Sequence, residues 1–287
     1  MTTARDLEYP ACPICRSEQR ERPYAKFGDH EVVRCRDCAM YYLYPRLTES
    51  AMRQFYEEDS YFEGGDSGYS DTSYAEQARA LRATFKRLMR NIKKRGLSGG
   101  SLLEVGSGYG YLLEEAKGYF EYRAATEFSP EGVRQSASKA DKVYEGGAEQ
   151  LPADSKFDCV IATHVIEHVY DPLEFVRKLI SHTRPGGTVV LAAPDMGGML
   201  RKATGRRWPS FKVPEHVLYF DSGTLSSLMS QAGLGEIKPL PYPHAFPLAL
   251  IASKLRLPFP DALANLNIWI PATTVALYGR VPNGQSG

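Results

Sequence analysis

Residues 102–116 read LLEVGSGYGYLLEEA. An apolar run ends in Gly106-x-Gly108-x-Gly110, and an apolar-periodic stretch follows at once, which predicts strand, tight turn and helix. Glycine is needed where the backbone must turn sharply and come close to a ligand. The spacing is not the G-x-G-x-x-G of dinucleotide-binding loops. An acidic residue, Glu104, stands two positions before the first glycine. About twenty residues on, YRAATEF (122–128) ends a second strand in Glu127, where a carboxylate accepts hydrogen bonds from ribose hydroxyls at a sheet's switch point. Taken singly, Gly108 permits helix–strand packing and Glu127 caps a helix beside Ser129 and Pro130. Order and spacing together favour a ligand.

The same alternation continues outward. Strands are predicted at SLLEV (101–105), YRAATEF, DKVYEG (141–146), FDCVIAT (157–163), GGTVVLAAP (186–194), GEIKPL (235–240) and PATTVALYGRV (271–281). Helices are predicted at YLLEEAKG (111–118), SPEGVRQSAS (129–138), DPLEFVRKLISHT (171–183) and SGTLSSLMSQAGL (222–234). This is an α/β pattern, a Rossmann-like doubly wound and mostly parallel seven-stranded sheet. Residues 194–220 interrupt it with Pro, Gly and aromatics, as an insertion over an active site does. Upstream, RLTESAMRQFYEEDSYF (46–62) reads as a helix from a Thr48 cap, and a Gly/Asp-rich loop follows. Leu81, Phe85, Leu88, Met89 and Ile92 then mark a long amphipathic helix. The expected organisation is a zinc ribbon over 1–45, a helical and loop lid segment over 46–98, and the α/β domain over 99–287 with its insertion at 194–220. Residues 241–270 show no assignable pattern.

Composition is that of an ordinary globular chain: 287 residues, 43% apolar, 24% charged, net charge +1. Nothing global points to nucleic acid. A run from Arg79 to Arg95 carries eight basic and no acidic residues, which reads as a solvated helix face. The N-terminus lacks the apolar core of a secretory signal, and no run reaches membrane-span length. Five cysteines in such a chain suit a reducing compartment, so a cytoplasmic location is expected.

Four of those cysteines are paired in spacing. Cys12-x2-Cys15 and Cys35-x2-Cys38 stand nineteen residues apart, the pattern of a four-thiolate zinc ribbon. Four sulfurs fill the shell and leave no place for water, so the predicted role is structural. Cys159, within a predicted strand, reads as a small buried hydrophobe.

EVGSGYG (104–110) resembles motif I of the class I S-adenosylmethionine-dependent methyltransferases. The resemblance implies that Glu104, Gly106, Ser107, Gly108 and Gly110 surround the methionine end of that cofactor, whose product is S-adenosylhomocysteine. Glu127 then matches the ribose carboxylate, and Phe128 packs on adenine. GGAEQLP (146–152) is similar to the family's adenine loop, with Ala148 and Glu149 nearest the ring. FDCVIATHVIEHVYDP and RPGGTVVLAAP resemble its fourth and fifth strands, so the likeness runs from 101 to about 240. CRDCAMYYLYPRLTESAMRQFYEEDSYF (35–62) resembles an N-terminal module of methyltransferases acting on bacterial natural products and sugars. That likeness implies a tyrosine-bearing loop over the cleft, with Tyr69 and Tyr74 at the cofactor and Tyr61 at the acceptor.

Within THVIEHVYDP (163–172), His164-x-x-Glu167-His168 also matches the inverted zinc-peptidase signature. Its context argues otherwise. The string follows an apolar strand, and Asp171-Pro172 limits any helix to about two turns. The metal is therefore assigned to the cysteines. His164 and His168 instead follow the fourth strand at the ligand-binding edge. His164 is expected on the cofactor cleft wall, and His168 is the better candidate base. In VPEHVLYF (213–220), His216 is a base or a lid organiser, with Tyr219 near the acceptor. Trp208 is expected as an apolar wall, and Arg206 and Arg207 as partners of an acceptor phosphate or carboxylate.

The sequence thus points to methyl transfer onto a small-molecule acceptor, a sugar or natural-product intermediate, with a histidine removing a proton where the acceptor is oxygen or carbon. An RNA base methyltransferase carrying a zinc ribbon is the runner-up. The balance of seven Lys/Arg against seven Asp/Glu over residues 1–45 lowers it. A non-catalytic protein that keeps both folds is a third possibility.

Overall fold

In the chain's computed structural model, the described residues are 6–58, 77–249, 252, 260, 263 and 266–283. The N-terminal part is built from short strands: β1 (Leu7–Glu8), β2 (Ala25–Phe27), β3 (His30–Arg34), β4 (Tyr41–Tyr44) and β5 (Arg46–Leu47). Strands β2, β3 and β4 form an antiparallel meander, while β1 pairs with β5. Helix α1 (Glu49–Glu58) starts where expected, with the Thr48 hydroxyl accepting from the Ala51 N–H at 3.2 Å. Helix α2 (Ala78–Lys94) buries Leu81, Phe85, Leu88, Met89 and Ile92, the apolar stripe read from the sequence, together with Thr84. Its basic face is partly paired: Arg82 meets Glu114 at 2.8 Å, and Arg87 lies over the Trp269 ring.

From residue 101 strand and helix alternate: β6 (Ser101–Val105), α3 (Tyr111–Glu115), β7 (Tyr122–Glu127), α4 (Pro130–Ser136), β8 (Lys142–Glu145), β9 (Phe157–Thr163), α5 (Pro172–Ser181) and β10 (Thr183–Pro194). The predicted insertion holds α6 (Met199–Thr204) and β11 (Leu218–Tyr219); α7 (Ser222–Gln231), β12 (Gly235–Pro239), β13 (His244–Pro247), β14 (Asn267–Ile270) and β15 (Thr274–Arg280) follow. Seven strands form one sheet in the order β12-β15-β10-β9-β6-β7-β8. The five from β8 to β10 are parallel, and β15 runs against both of its neighbours. The predicted Rossmann-like, mostly parallel sheet is therefore present. Chain order reverses between β6 and β9, so the glycine loop after β6 and the THVIEH segment after β9 emerge side by side.

Two connections lie beyond what local patterning reveals. Strand β11, from the insertion, pairs with β4 and becomes the fourth strand of the ribbon sheet. One continuous core then joins Val32, Tyr42 and Leu43 of the ribbon to Val217, Phe220, Leu103 and Val105. Residues 241–270, unassigned from sequence, contain the β13–β14 hairpin. It docks on α2, where the Ala245 N–H donates to the Thr84 hydroxyl at 2.9 Å.

Candidate active site

Strand β6 is buried along its whole length, as a central parallel strand must be. It delivers a loop in which Gly106, Gly108 and Gly110 all take positive φ, at 75°, 52° and 72°. Such φ values favour glycine, and at Gly106 space forbids a side chain as well. A Cβ there would stand 2.6 Å from the Val165 side chain. The Glu127 carboxylate, at the end of β7, closes onto this loop. It accepts from the Gly108 N–H at 2.6 Å and from the Ser129 N–H at 2.9 Å. Burial raises the Glu127 carboxyl somewhat, against the backbone N–H donors that favour its charge.

Glu104 is fully enclosed. Burial, and then the neighbouring Glu127 charge, push its carboxyl well above the usual range. Glu104 Oε2 and Ser107 Oγ are buried and have no hydrogen-bond partner among the described residues. Both therefore lack the polar group that a buried acceptor requires. Phe128, one residue beyond Glu127, holds its ring 72% exposed. Ala148 is buried, and the exposed Glu149 accepts from the Gly147 N–H at 3.1 Å. A loop cleared of side chains, a ribose-type carboxylate, an exposed aromatic plane and two unmatched polar atoms form a cradle of the kind S-adenosylmethionine needs.

One residue of this cradle escapes sequence reasoning. Gly132, in α4, packs so close that a Cβ would lie 2.7 Å from Glu127 Cγ and 3.0 Å from the Gly108 carbonyl oxygen. A glycine inside a predicted helix carries no signal of that kind.

The wall opposite comes from the segment after β9. His164 adopts a positive φ of 56°, uncommon for a residue with a side chain. Its N–H donates to the Ala192 carbonyl at 2.8 Å. The ring meets Tyr242 and His244 edge to face, each with centroids 6.0 Å apart, and His244 stacks on Phe246 at 4.5 Å. The unassigned C-terminal segment thus supplies this wall. His164 Nε2 is buried without a hydrogen-bond partner, and Nδ1 stands 3.3 Å from Glu167 Oε1.

His168 and His216 are brought together, with ring centroids 4.7 Å apart at 89°. Burial depresses His168, and depresses His216 further, so both are neutral imidazoles near pH 7. Since a carbonyl only accepts, His216 Nδ1 carries the proton it gives to the Ser210 carbonyl at 2.9 Å. Tyr219 is buried against Phe211, with ring centroids 5.2 Å apart. Trp208 is likewise buried against Phe211. Arg206 and Arg207 are exposed, and Arg206 lines a shallow cleft with Tyr24 and Phe27 of the ribbon. Tyr61, Tyr69 and Tyr74 lie outside the described residues.

At the other end of the ribbon sheet, Cys12, Cys15, Cys35 and Cys38 converge, all four sulfurs within 4.8 Å of one another. No disulfide joins them. The closest pairs, Cys12–Cys38 at 3.4 Å and Cys15–Cys35 at 3.5 Å, approach the separation of about 3.8 Å that tetrahedral zinc imposes on sulfurs 2.3 Å from it. Burial pushes the Cys38 thiol up to about 11. At Cys35 burial acts the same way, but the backbone N–H groups of Cys38 and Asp37, with side-chain hydrogen bonds from Cys15 and Cys38, together outweigh it and the thiol is lowered. Donors aimed at sulfur are what a thiolate knuckle provides.

A sequence model of the methyltransferase domain matches residues 74–237, more than half of the chain. The chain belongs to the class I S-adenosylmethionine-dependent methyltransferase family. It is 33% identical over 110 residues to a tRNA U34 carboxymethyltransferase of Idiomarina loihiensis, covering 33% of each protein. It is 34% identical over 142 residues to norajmaline N-methyltransferase of Rauvolfia serpentina, covering 46% of this chain and 48% of that enzyme. The methyltransferase chain therefore spans only a third to a half of these curated relatives. A SAM-dependent methyltransferase from Archaeoglobus fulgidus shares the fold, with a TM-score of 0.51 at 17% identity over 72% of this chain and 97% of that one. Among the described residues, no helix is long and apolar enough to cross a membrane.

Proposed function

We propose that this methyltransferase moves a methyl group from S-adenosylmethionine to a small-molecule acceptor, a sugar or natural-product intermediate. The observation that carries the reading is the Glu127 carboxylate, held by the Gly108 and Ser129 N–H groups at the sheet's switch point. In that position its remaining lone pairs bind a ribose diol. Ser107 and Glu104 offer the methionine end their unmatched polar atoms, and Phe128 offers adenine its exposed face. When bound, the cofactor supplies an electrophilic methyl group on a sulfonium.

The chain's own work is then positioning and proton removal. His164 adjoins Val165, whose side chain faces Gly106 in the cradle. Its buried Nε2 suits taking a proton from an acceptor hydroxyl or carbon acid. His244 and Tyr242 flank that ring and form the acceptor's aromatic wall. The four-cysteine ribbon holds one structural zinc, in keeping with a cytoplasmic, thiol-reducing setting. The division at 1–45, 46–98 and 99–287 is proposed as ribbon, lid segment and catalytic domain.

The test is a thermal shift. S-adenosylhomocysteine should raise the melting temperature, and Gly108→Arg, which fills the loop, should abolish the shift. Full retention of the shift in the variant would overturn the assignment. The balanced charge of the ribbon supports a small acceptor over RNA. A gel shift with total RNA at moderate salt that gave tight binding would reverse that choice.

A further inference from the structure

The H-x-x-E-H string returns here with a different partner. Glu167 and His168 sit on one turn after β9, and His216 reaches them from the lid residues just before β11. One potential ligand atom from each lies within 4.8 Å of the others. The turn and the lid are fastened together at this point, because the Val217 N–H donates to the Glu167 carbonyl at 2.9 Å.

Glu167 is the telling residue. Its side chain is 1% exposed, and neither carboxylate oxygen has a hydrogen-bond partner among the described residues. His164 Nδ1 stands 3.3 Å from Oε1 but out of hydrogen-bond alignment. A buried carboxylate left in that condition is costly, and such groups are otherwise found paired or coordinating metal. The imidazoles are arranged to match. His216 gives its Nδ1 proton to the Ser210 carbonyl, which leaves Nε2 with its lone pair available. His168 is likewise hydrogen-bonded to the Glu215 backbone. Pinning one ring nitrogen so that the other ligates is how metal-binding histidines are oriented.

We propose that Glu167, His168 and His216 bind a divalent transition-metal ion, separate from the four-cysteine zinc. Ligands about 2.1 Å from a shared ion stand roughly 3 to 4 Å apart, so closure from the present spacing needs only small side-chain movements. Two imidazoles and one carboxylate select manganese, iron, cobalt or zinc over magnesium, which keeps an oxygen shell. Three protein ligands leave the ion at least one open position. That this position takes an acceptor oxygen rests on the methyl-transfer reading. The metal site itself does not, and it is measured without acceptor or turnover.

The experiment loads the full chain with cobalt(II), removes excess ion, and reads metal per chain together with X-ray absorption. The wild type should hold two ions, one bound by sulfur and one by nitrogen and oxygen with imidazole outer-shell scattering. Glu167→Gln and His216→Gln should each lose the second ion, or bind it at least tenfold more weakly, while keeping the sulfur-bound one. Cys35→Ser should lose the sulfur-bound ion. Saturation of the wild type at one all-sulfur ion overturns the proposal, whether or not the variants fold. So does retention of two ions by variants whose circular dichroism is unchanged.

Discussion

The backbone N–H of Leu43, in the ribbon, donates to the carbonyl of Val217, in the lid, at 3.0 Å. Through this bond and the β4–β11 pairing, the cysteine cluster is continuous with the strand that carries His216 into position. Zinc would then organise the site at a distance, by holding β3 and β4 in the register that β11 extends.

Losing the ribbon metal should accordingly damage more than the ribbon. A structural four-thiolate site contributes on the order of 10 kcal/mol to ordering its segment, and these short strands have little core of their own. Cys35→Ser is expected to lower the melting temperature by more than about 5 °C, since each kcal/mol moves it a few degrees in a chain of this size. Protection of backbone amides against hydrogen exchange should fall at Val217–Tyr219 as well as at Tyr41–Tyr44. Loosening confined to residues 1–45 would show that the lid does not depend on the ribbon.

Acid should destabilise the fold through its enclosed imidazoles. Burial pushes His244 down to about 3, and His168 and His216 are lowered for the same reason. A depressed histidine binds its proton in the unfolded chain first, so stability is complete above the ordinary value of about 6.5 and is lost as pH falls below it. Each such group steepens the loss by up to about 1.4 kcal/mol per pH unit. Urea melts of His244→Gln between pH 6.5 and 4.5 should show a shallower decline than the wild type. An identical slope would mean that His244 titrates in the fold as it does in the open chain.

Glu127 should matter for affinity more than for folding. Glu127→Gln keeps the volume but replaces the charged acceptor proposed to face the ribose hydroxyls with a neutral amide, a change of about 1.5–3 kcal/mol where the bonds are charge-assisted. Affinity for S-adenosylhomocysteine by calorimetry is expected to fall roughly 10- to 100-fold. A change under threefold would remove Glu127 from the ribose site.

Much of this architecture is legible in the chain because it is local. LLEVGSGYG, the spacing to Glu127 and the paired cysteines each write a turn or a strand end into neighbouring residues, and the seven predicted strands are the seven of the sheet. What stays hidden is contact across long separations. Nothing near Leu218 or Tyr219 announces that they pair with Tyr42 and Tyr41. Likewise, His244 and Tyr242 reach His164 only because a hairpin with no clear periodicity docks on α2. The Glu167–His168–His216 cluster combines both kinds, two residues from one string and a third from forty-eight positions on.

Gly132 makes the same point in a form that a single substitution tests. Alanine is preferred over glycine inside helices by about 1 kcal/mol, and Gly132 has no positive φ to defend. On propensity alone, Gly132→Ala should stabilise α4. The structure predicts a different balance. The new methyl would lie 2.7 Å from Glu127 Cγ, closer than real contacts allow, and a tight 3.0 Å from the Gly108 carbonyl oxygen. The backbone of the glycine loop has little room to retreat, so the carboxylate must swing away and release the Gly108 N–H. S-adenosylhomocysteine affinity is expected to fall at least tenfold, while the melting temperature without cofactor changes by only a few degrees. Unchanged affinity in a folded Gly132→Ala protein would show that Glu127 moves freely and that its clasp on Gly108 does not set the cofactor site.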